Sequence, residues 1–273
     1  MPTTGSDESE VRVSAAGAGR SEPRVPSGKA SRGPLRSQVA APAGAATLTV
    51  LVGFLALVGC LILLGSLAED IRSQEVNALD TLATPFLHGR ASPALDQVMI
   101  FITTLGSNLV IPPLFVLTIA WLAWLRKPRE GLFLAVASGG SLVLNETMKL
   151  FFHRARPQLP WAQVPPDYSF PSGHTMNSLV FYVALAVVLW SVGGRRIGLV
   201  ALAVAIVLSS LIGLSRIYLG AHYFTDVAGG LLAGTVWLLV VAAAFRFGPL
   251  WQMWRNPPSL PASDKTKPGG KKG

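Results

Sequence analysis

Apolar positions dominate long stretches of this chain, and the charges between them mark where each stretch ends. Six apolar segments emerge, at about 44–67, 104–125, 131–150, 175–194, 197–215 and 227–245. Each approaches the roughly 20 residues that a helix needs to cross a bilayer. The first is uncharged from Gly44 to Ala68. That is longer than the apolar region of about 7–15 residues in a cleaved signal peptide, so it is expected to stay as a transmembrane helix. The second uncharged run begins at Val98, and the residues after Ser92-Pro93 are expected to form a short interfacial helix ahead of the span. Glu146 and Lys149 interrupt the end of the third, where the lysine can reach water along its own stem. Residues 1–43 are rich in Ser, Gly, Ala, Pro and Arg, and 248–273 lack an apolar period. Both read as disordered cytoplasmic tails around a membrane domain at 44–247.

Composition agrees with this pattern. Of 273 residues, 51% are hydrophobic and 14% charged, with a mean hydropathy of +0.48. A soluble domain carries about a quarter charged residues, so a water-facing surface is excluded. The net charge of +9 invites a nucleic-acid reading, but the cations sit in the tails and short loops, where they report topology. The one cysteine, Cys60, lies within an apolar run, which excludes an intrachain disulfide. Arg126, Lys127 and Arg129, then Arg195 and Arg196, fall on the same side as both tails if the chain weaves six times. The positive-inside rule assigns that side to the cytoplasm. Arg154, Arg156 and Arg216 oppose the trend, in outer loops, and want a different explanation.

That explanation lies in three blocks at the outer ends of spans three to six. They are Lys149-Leu-Phe-Phe-His-Arg-Ala-Arg156-Pro157, then Pro171-Ser172-Gly173-His174, then Ser215-Arg216 followed by His222 and Asp226. Together they gather cations, two imidazoles, a hydroxyl and a carboxylate at one membrane depth, an inventory suited to a phosphoryl group. A phosphomonoester carries about −1.5 to −2 charge, spread over outer oxygens as it transfers. Lys149 supplies a point charge, and Arg156 and Arg216 supply planar forks. Pro171 to His174 is expected to open the fourth span, with Gly173 letting backbone approach the ligand and free N–H groups facing phosphate oxygens. Ser172 is expected to cap the helix or donate to phosphate, two roles that do not exclude each other. His222 and Asp226 are four apart, so on a helix they share a face, and the carboxylate would set the ring's tautomer. His222 is then the expected nucleophile and His174 the general acid. No Cys/His or carboxylate set has metal spacing, so no metal and no cofactor are expected.

The order and spacing of these blocks resemble the type 2 phosphatidic acid phosphatase superfamily, whose relatives include soluble acid phosphatases and vanadium haloperoxidases. The resemblance covers about residues 93–245 and departs at no signature position. It implies that the second histidine, His222, is the nucleophile and the first, His174, the acid. The fold class expected is all-α, a bundle of six transmembrane helices with the active site at the outer ends of helices three to six. The substrate classes implied are undecaprenyl pyrophosphate, phosphatidic acid and phosphatidylglycerol phosphate, with the polyprenyl pyrophosphate favoured for a bacterial source. The partners are thus a lipid phosphate and the bilayer, with no nucleic acid. A phosphotransferase with the same motifs is the alternative, and a transporter a weaker one, since ionisable groups sit at span ends. Arg154, His153, Tyr218 and Tyr223 read as interfacial, and the carboxylates and His88 of loop 68–97 as solvated. Gly139-Gly140 and Gly229-Gly230 read as helix-packing sites.

Overall fold

The computed structural model describes residues 43–72, 78–162 and 166–247. Both tails lie outside the described residues. Among those residues every regular element is a helix: α1 Ala43–Arg72, α2 Ala78–His88, α3 Pro93–Leu105, α4 Ile111–Trp124, α5 Pro128–Phe152, α6 Gly173–Gly193, α7 Arg195–Tyr218 and α8 Phe224–Phe247. By length and composition four stretches suit a bilayer crossing: Leu51–Arg72, Gly173–Gly193, Arg195–Tyr218 and Phe224–Arg246. Helix α5, with 25 residues, carries its charges near its ends.

The short helix expected after Ser92-Pro93 is α3, and the span expected at 104–125 is the shorter α4, with residues 106–110 between them. Local chemistry explains the break. Ser92 caps α3, accepting from the Leu95 N–H at 3.3 Å, with Pro93 as its first residue. Pro112-Pro113 open α4, where a missing N–H costs no helical bond. The prolines therefore start a helix and do not kink one. Helix α1 runs on to Arg72 and α2 occupies Ala78–His88, so much of the segment expected as a solvated loop is helical.

Large apolar side chains such as Phe54, Ile62, Val143 and Val200 remain exposed along the helices, as a lipid-facing surface requires. Burial concentrates where α4, α5, α6 and α8 meet, around Leu122, Leu134, Ala137, Val180, Phe181 and Val241. In lipid, helix contact rests on close packing and not on hydrophobic expulsion, which favours small residues at crossings. Gly140 and Gly229 serve this end: a Cβ on the first would lie 2.0 Å from the Trp237 ring and on the second 2.2 Å from Phe170. Gly139 does not. A Cβ there meets nothing within 4 Å, and the residue lines a cavity. Helices α6 and α7 join through Gly194, whose φ of 87° is left-handed and suits glycine.

Candidate active site

Three helix ends and two loops converge on a cavity of about 480 Å³. The last turn of α5 brings Lys149, and the loop behind it Arg156. The first turn of α6 brings Gly173 and His174, the last turn of α7 brings Arg216, and the short link to α8 brings His222. All six line the cavity. Ser172 and Asp226 are fully buried behind its wall.

Two cations converge on a carboxylate that sequence reasoning missed. Asp167 takes Lys149 Nζ at 2.7 Å on Oδ2 and Arg156 Nη2 at 2.7 Å on Oδ1. Lys149 is also 3.3 Å from Glu146 and is buried, so it does not reach for water as expected. Burial pushes the Asp167 carboxyl up, but the Lys149 and Arg156 hydrogen bonds and charges outweigh it and hold the group below the usual carboxylate range. Asp167 is the sole acidic residue of 151–174, which was the available signal. Arg216 donates to Thr103 Oγ1 at 3.1 Å, while its buried Nε has no partner among the described residues.

His222 precedes α8, so it does not share a helical face with Asp226 as expected. A turn brings its Nδ1 to 3.5 Å from Asp226 Oδ2 and 3.4 Å from Ser169 Oγ. On the other side of the ring, Nε2 lies 3.0 Å from Arg156 Nη1. A guanidinium only donates, so Nε2 must carry its lone pair and Nδ1 the proton. Burial, opposed by Asp226, pushes the His222 imidazole down to about 4, which keeps the ring neutral at pH 7. The carbonyl of Ala221 takes a further 2.7 Å bond from Arg156 Nη1 and so fixes the guanidinium against the ring.

The α6 start is built from both sides. Phe170-Pro171 is a cis peptide, and the Ser172 N–H donates to the Asp226 carbonyl at 3.0 Å. Ser172 makes no side-chain cap. Its Oγ accepts from Thr175 Oγ1 at 3.0 Å. The N–H groups of Gly173, His174 and Thr175 have no acceptor within the helix, as at any helix start. A Cβ on Gly173 would lie 2.9 Å from Asn145 Oδ1, so packing there requires glycine. Among the described residues no three His, Cys, Asp or Glu side chains group as a metal site would require.

Residues 130–248 match the model of the PAP2 superfamily. Phosphatidylglycerophosphatase B of Bacillus subtilis is 32% identical over 181 residues, 64% of this chain and 87% of that protein. The chain belongs to the PAP2 superfamily. A second PAP2 relative, undecaprenyl-diphosphatase BcrC of the same organism, is 29% identical over 175 residues, 60% of this chain and 81% of its own. The crystal structure of a transmembrane PAP2 type phosphatidylglycerolphosphate phosphatase from Bacillus subtilis superposes with a TM-score of 0.64 at 30% identity, covering 70% of this chain and 96% of that one. With its apolar helices, this PAP2 chain is a multi-pass membrane protein.

Several residues within and beyond the three blocks have settings that the sequence did not show. Arg154 is no interfacial cation: it bridges Asp226 at 2.6 Å and Asp80 at 2.7 Å. Burial works against its charge, but the Asp226 and Asp80 carboxylates outweigh it and raise its proton affinity. Asp80, expected to be solvated, is buried on α2. Tyr218 is buried too, donating to Asp96 Oδ1 at 2.6 Å, and His88 stacks on Trp161 at 4.2 Å. Tyr223 lies under the Arg154 guanidinium at 4.4 Å. His153 ends α5 in the left-handed region with φ 49°.

Proposed function

We propose that this PAP2 protein is an integral-membrane phosphatase that hydrolyses a lipid phosphate monoester or pyrophosphate through a phosphohistidine on His222. The observation that carries the reading is the unprotonated His222 Nε2, held by Arg156 Nη1 beside a cavity lined by Lys149, Arg156 and Arg216. Arg156 releases Nε2 as it turns to the phosphoryl oxygens. Those cations neutralise the phosphoryl oxygens, and the opening N–H groups of α6 at Gly173 and His174 add donors. Ser172 contributes a hydroxyl proton at the helix start, since its oxygen accepts from Thr175.

Nε2 attacks phosphorus, and the bond from phosphorus to the leaving oxygen breaks. His174 gives that oxygen its proton. Asp226 holds the Nδ1–H and offsets the positive charge that the ring acquires. Water then attacks phosphorus, passing a proton to His174, and the phosphorus–nitrogen bond breaks to release inorganic phosphate. The cations supply the charge neutralisation, so the step needs no metal.

The apolar wall of the cavity, from Ile111, Pro112, Phe115, Leu142 and Phe181, suits a lipid substrate. Undecaprenyl pyrophosphate, phosphatidic acid and phosphatidylglycerol phosphate are the candidates. The chain crosses the bilayer six times in this reading, with α1 and α4 to α8 as the crossing helices. Arg126 and Lys127, Arg195 and Arg196, and Arg246 then lie on the cytoplasmic side with both termini, and the cavity opens outside.

The test is phosphate release from those three lipids by detergent-purified protein in EDTA, beside the His222→Ala variant. Release that survives chelation and vanishes in the variant supports the reading. Release abolished by EDTA refutes the metal-independent chemistry. Label arriving in an added alcohol rather than in free phosphate moves the reading to a phosphotransferase.

A further inference from the structure

Asp226 sits at a branch point. Its Oδ1 accepts from Arg154 Nη1 at 2.6 Å. Its Oδ2 accepts from Ser169 Oγ and from the Tyr223 N–H at 2.9 Å, and lies 3.5 Å from His222 Nδ1. How much of its charge reaches the imidazole therefore depends on how firmly Arg154 holds the other oxygen. Arg154 is in turn anchored from a distance. Its Nη2 donates to Asp80 Oδ2 at 2.7 Å, and its Nη1 also donates to Thr225 Oγ1 at 2.7 Å, whose hydroxyl passes its own proton to Asp80 Oδ2 at 2.6 Å. Asp80 Oδ1 accepts from the Thr225 N–H at 2.9 Å, in the first turn of α8. The Asp80 and Asp226 side chains are wholly buried, with Arg154 at 15% exposure between them.

This is an expensive arrangement to bury. Two carboxylates repel in a low-dielectric site unless a cation with a fixed fork lies between them. Asp80 accepts from the Thr225 N–H at the start of α8, where free N–H groups and the helix dipole favour an anion. A simple anchor for α2 would need only the Thr225 bond. Asp80 instead shares one oxygen with Arg154, directing one guanidinium nitrogen away from Asp226. Without it, both nitrogens are free to close on Asp226 as a bidentate fork and draw the carboxylate from His222.

We infer that Asp80, on a helix outside residues 130–248, is a positioning residue for the His222 imidazole, acting through Arg154 on Asp226. The inference rests on the reading of His222 as the nucleophile. Asp80 touches neither the cavity nor the ring, so its effect falls on the orientation and basicity of His222 and not on lipid binding. His222 is also faced by Arg156 from the loop after α5, by Arg216 from α7 and by His174 from α6. All three stay unchanged in the variants below.

The experiment uses the full chain in detergent, with dioctanoyl phosphatidic acid, and follows kcat and KM across the acid range. Wild type, Asp80→Asn, Asp80→Asn with Arg154→Gln, and His222→Ala are compared. The substrate's own ionisation is common to all arms and cancels in their differences. Asp80→Asn is expected to lower kcat about tenfold, the lower end for loss of an outer partner of a working histidine, with KM unchanged. Its acid limb moves to lower pH, because Arg154 then competes for all of Asp226. Removing Arg154 as well frees Asp226 for the ring, and the limb moves back past its wild-type position by about one unit. Losses of kcat with an unmoved limb in both variants overturn the inference and leave Asp80 a structural anchor. Arg154→Lys, whose single ammonium cannot bridge both carboxylates, gives an independent arm if the Asp80 variants do not fold. It is expected to lose kcat alone, and wild-type kcat there overturns the inference. Turnover retained in His222→Ala sinks the nucleophile reading itself, separately from any shift of the limb.

Discussion

Asp167 occupies the space between two of the cations that the proposed reaction needs, and removing its charge should tighten anion binding. The perturbation is Asp167→Asn, which keeps the shape and leaves Lys149 and Arg156 without their carboxylate. Each cation now makes a contact of 2.7 Å to Asp167, and the carboxylate is 40% exposed against 10% and 6% for the cations. Solvent screens such half-exposed pairs to about 0–1 kcal/mol each. Two of them amount to at most about 2 kcal/mol, and about 1.4 kcal/mol within that range is a tenfold occupancy penalty on any incoming anion. The assay is competitive inhibition by inorganic phosphate at fixed pH and ionic strength, in the full chain. The inhibition constant should fall about tenfold in the variant, with a smaller change in kcat, and the gain should shrink as salt rises. An unchanged or raised inhibition constant would refute the reasoning. Asp167 would then orient Arg156 for the ligand instead of competing with it.

Other expectations follow from packing and titration. Gly229→Ala places a Cβ 2.2 Å from the ring of Phe170, a wholly buried residue two positions before Ser172. Overpacking of that kind costs about 1–3 kcal/mol, so the melting temperature in detergent should fall together with activity. Gly139→Ala meets nothing within 4 Å and should leave the melting temperature unchanged, a contrast that scanning calorimetry reads directly. His222 is held neutral, with its value pushed from 6.5 down to about 4 by burial. Between those values the unfolded chain binds a proton that the folded ring refuses. Its contribution to stability is therefore present above about pH 6.5 and is lost as pH falls toward 4. Thermal melts should show that acid slope in the wild type and a flatter one in His222→Gln.

Much of the candidate site is visible in the chain because its chemistry is local. Lys149 with Arg156, Pro171 to His174, and Arg216 with His222 each lie within one helix end or loop, so spacing alone groups them. Asp167 is near in sequence and was legible only as the lone carboxylate of its loop. Asp80 was not legible at all, since its partner Thr225 lies 145 positions away and nothing in an acidic residue beside an apolar run marks it as buried. Arg154 was misread for the same reason, because an arginine at a membrane boundary has an ordinary explanation until both of its carboxylates are in view.

Hydrophobic run length determines where this chain can sit, because a bilayer demands apolar length whatever the partners, and charge at the run ends orders the helices along it. Composition and the three blocks likewise determine the class of chemistry, since a phosphoryl group needs cations and a proton relay of fixed type. The burial of Tyr218 and the Asp80–Arg154–Asp226 bridge are tertiary decisions. Each depends on which faces meet when helices pack, and apolar periodicity is nearly blind to faces when lipid and protein interior are equally apolar. The same holds for the His222 tautomer: residue type allows either ring nitrogen to carry the proton, and only Arg156 against Nε2 selects one.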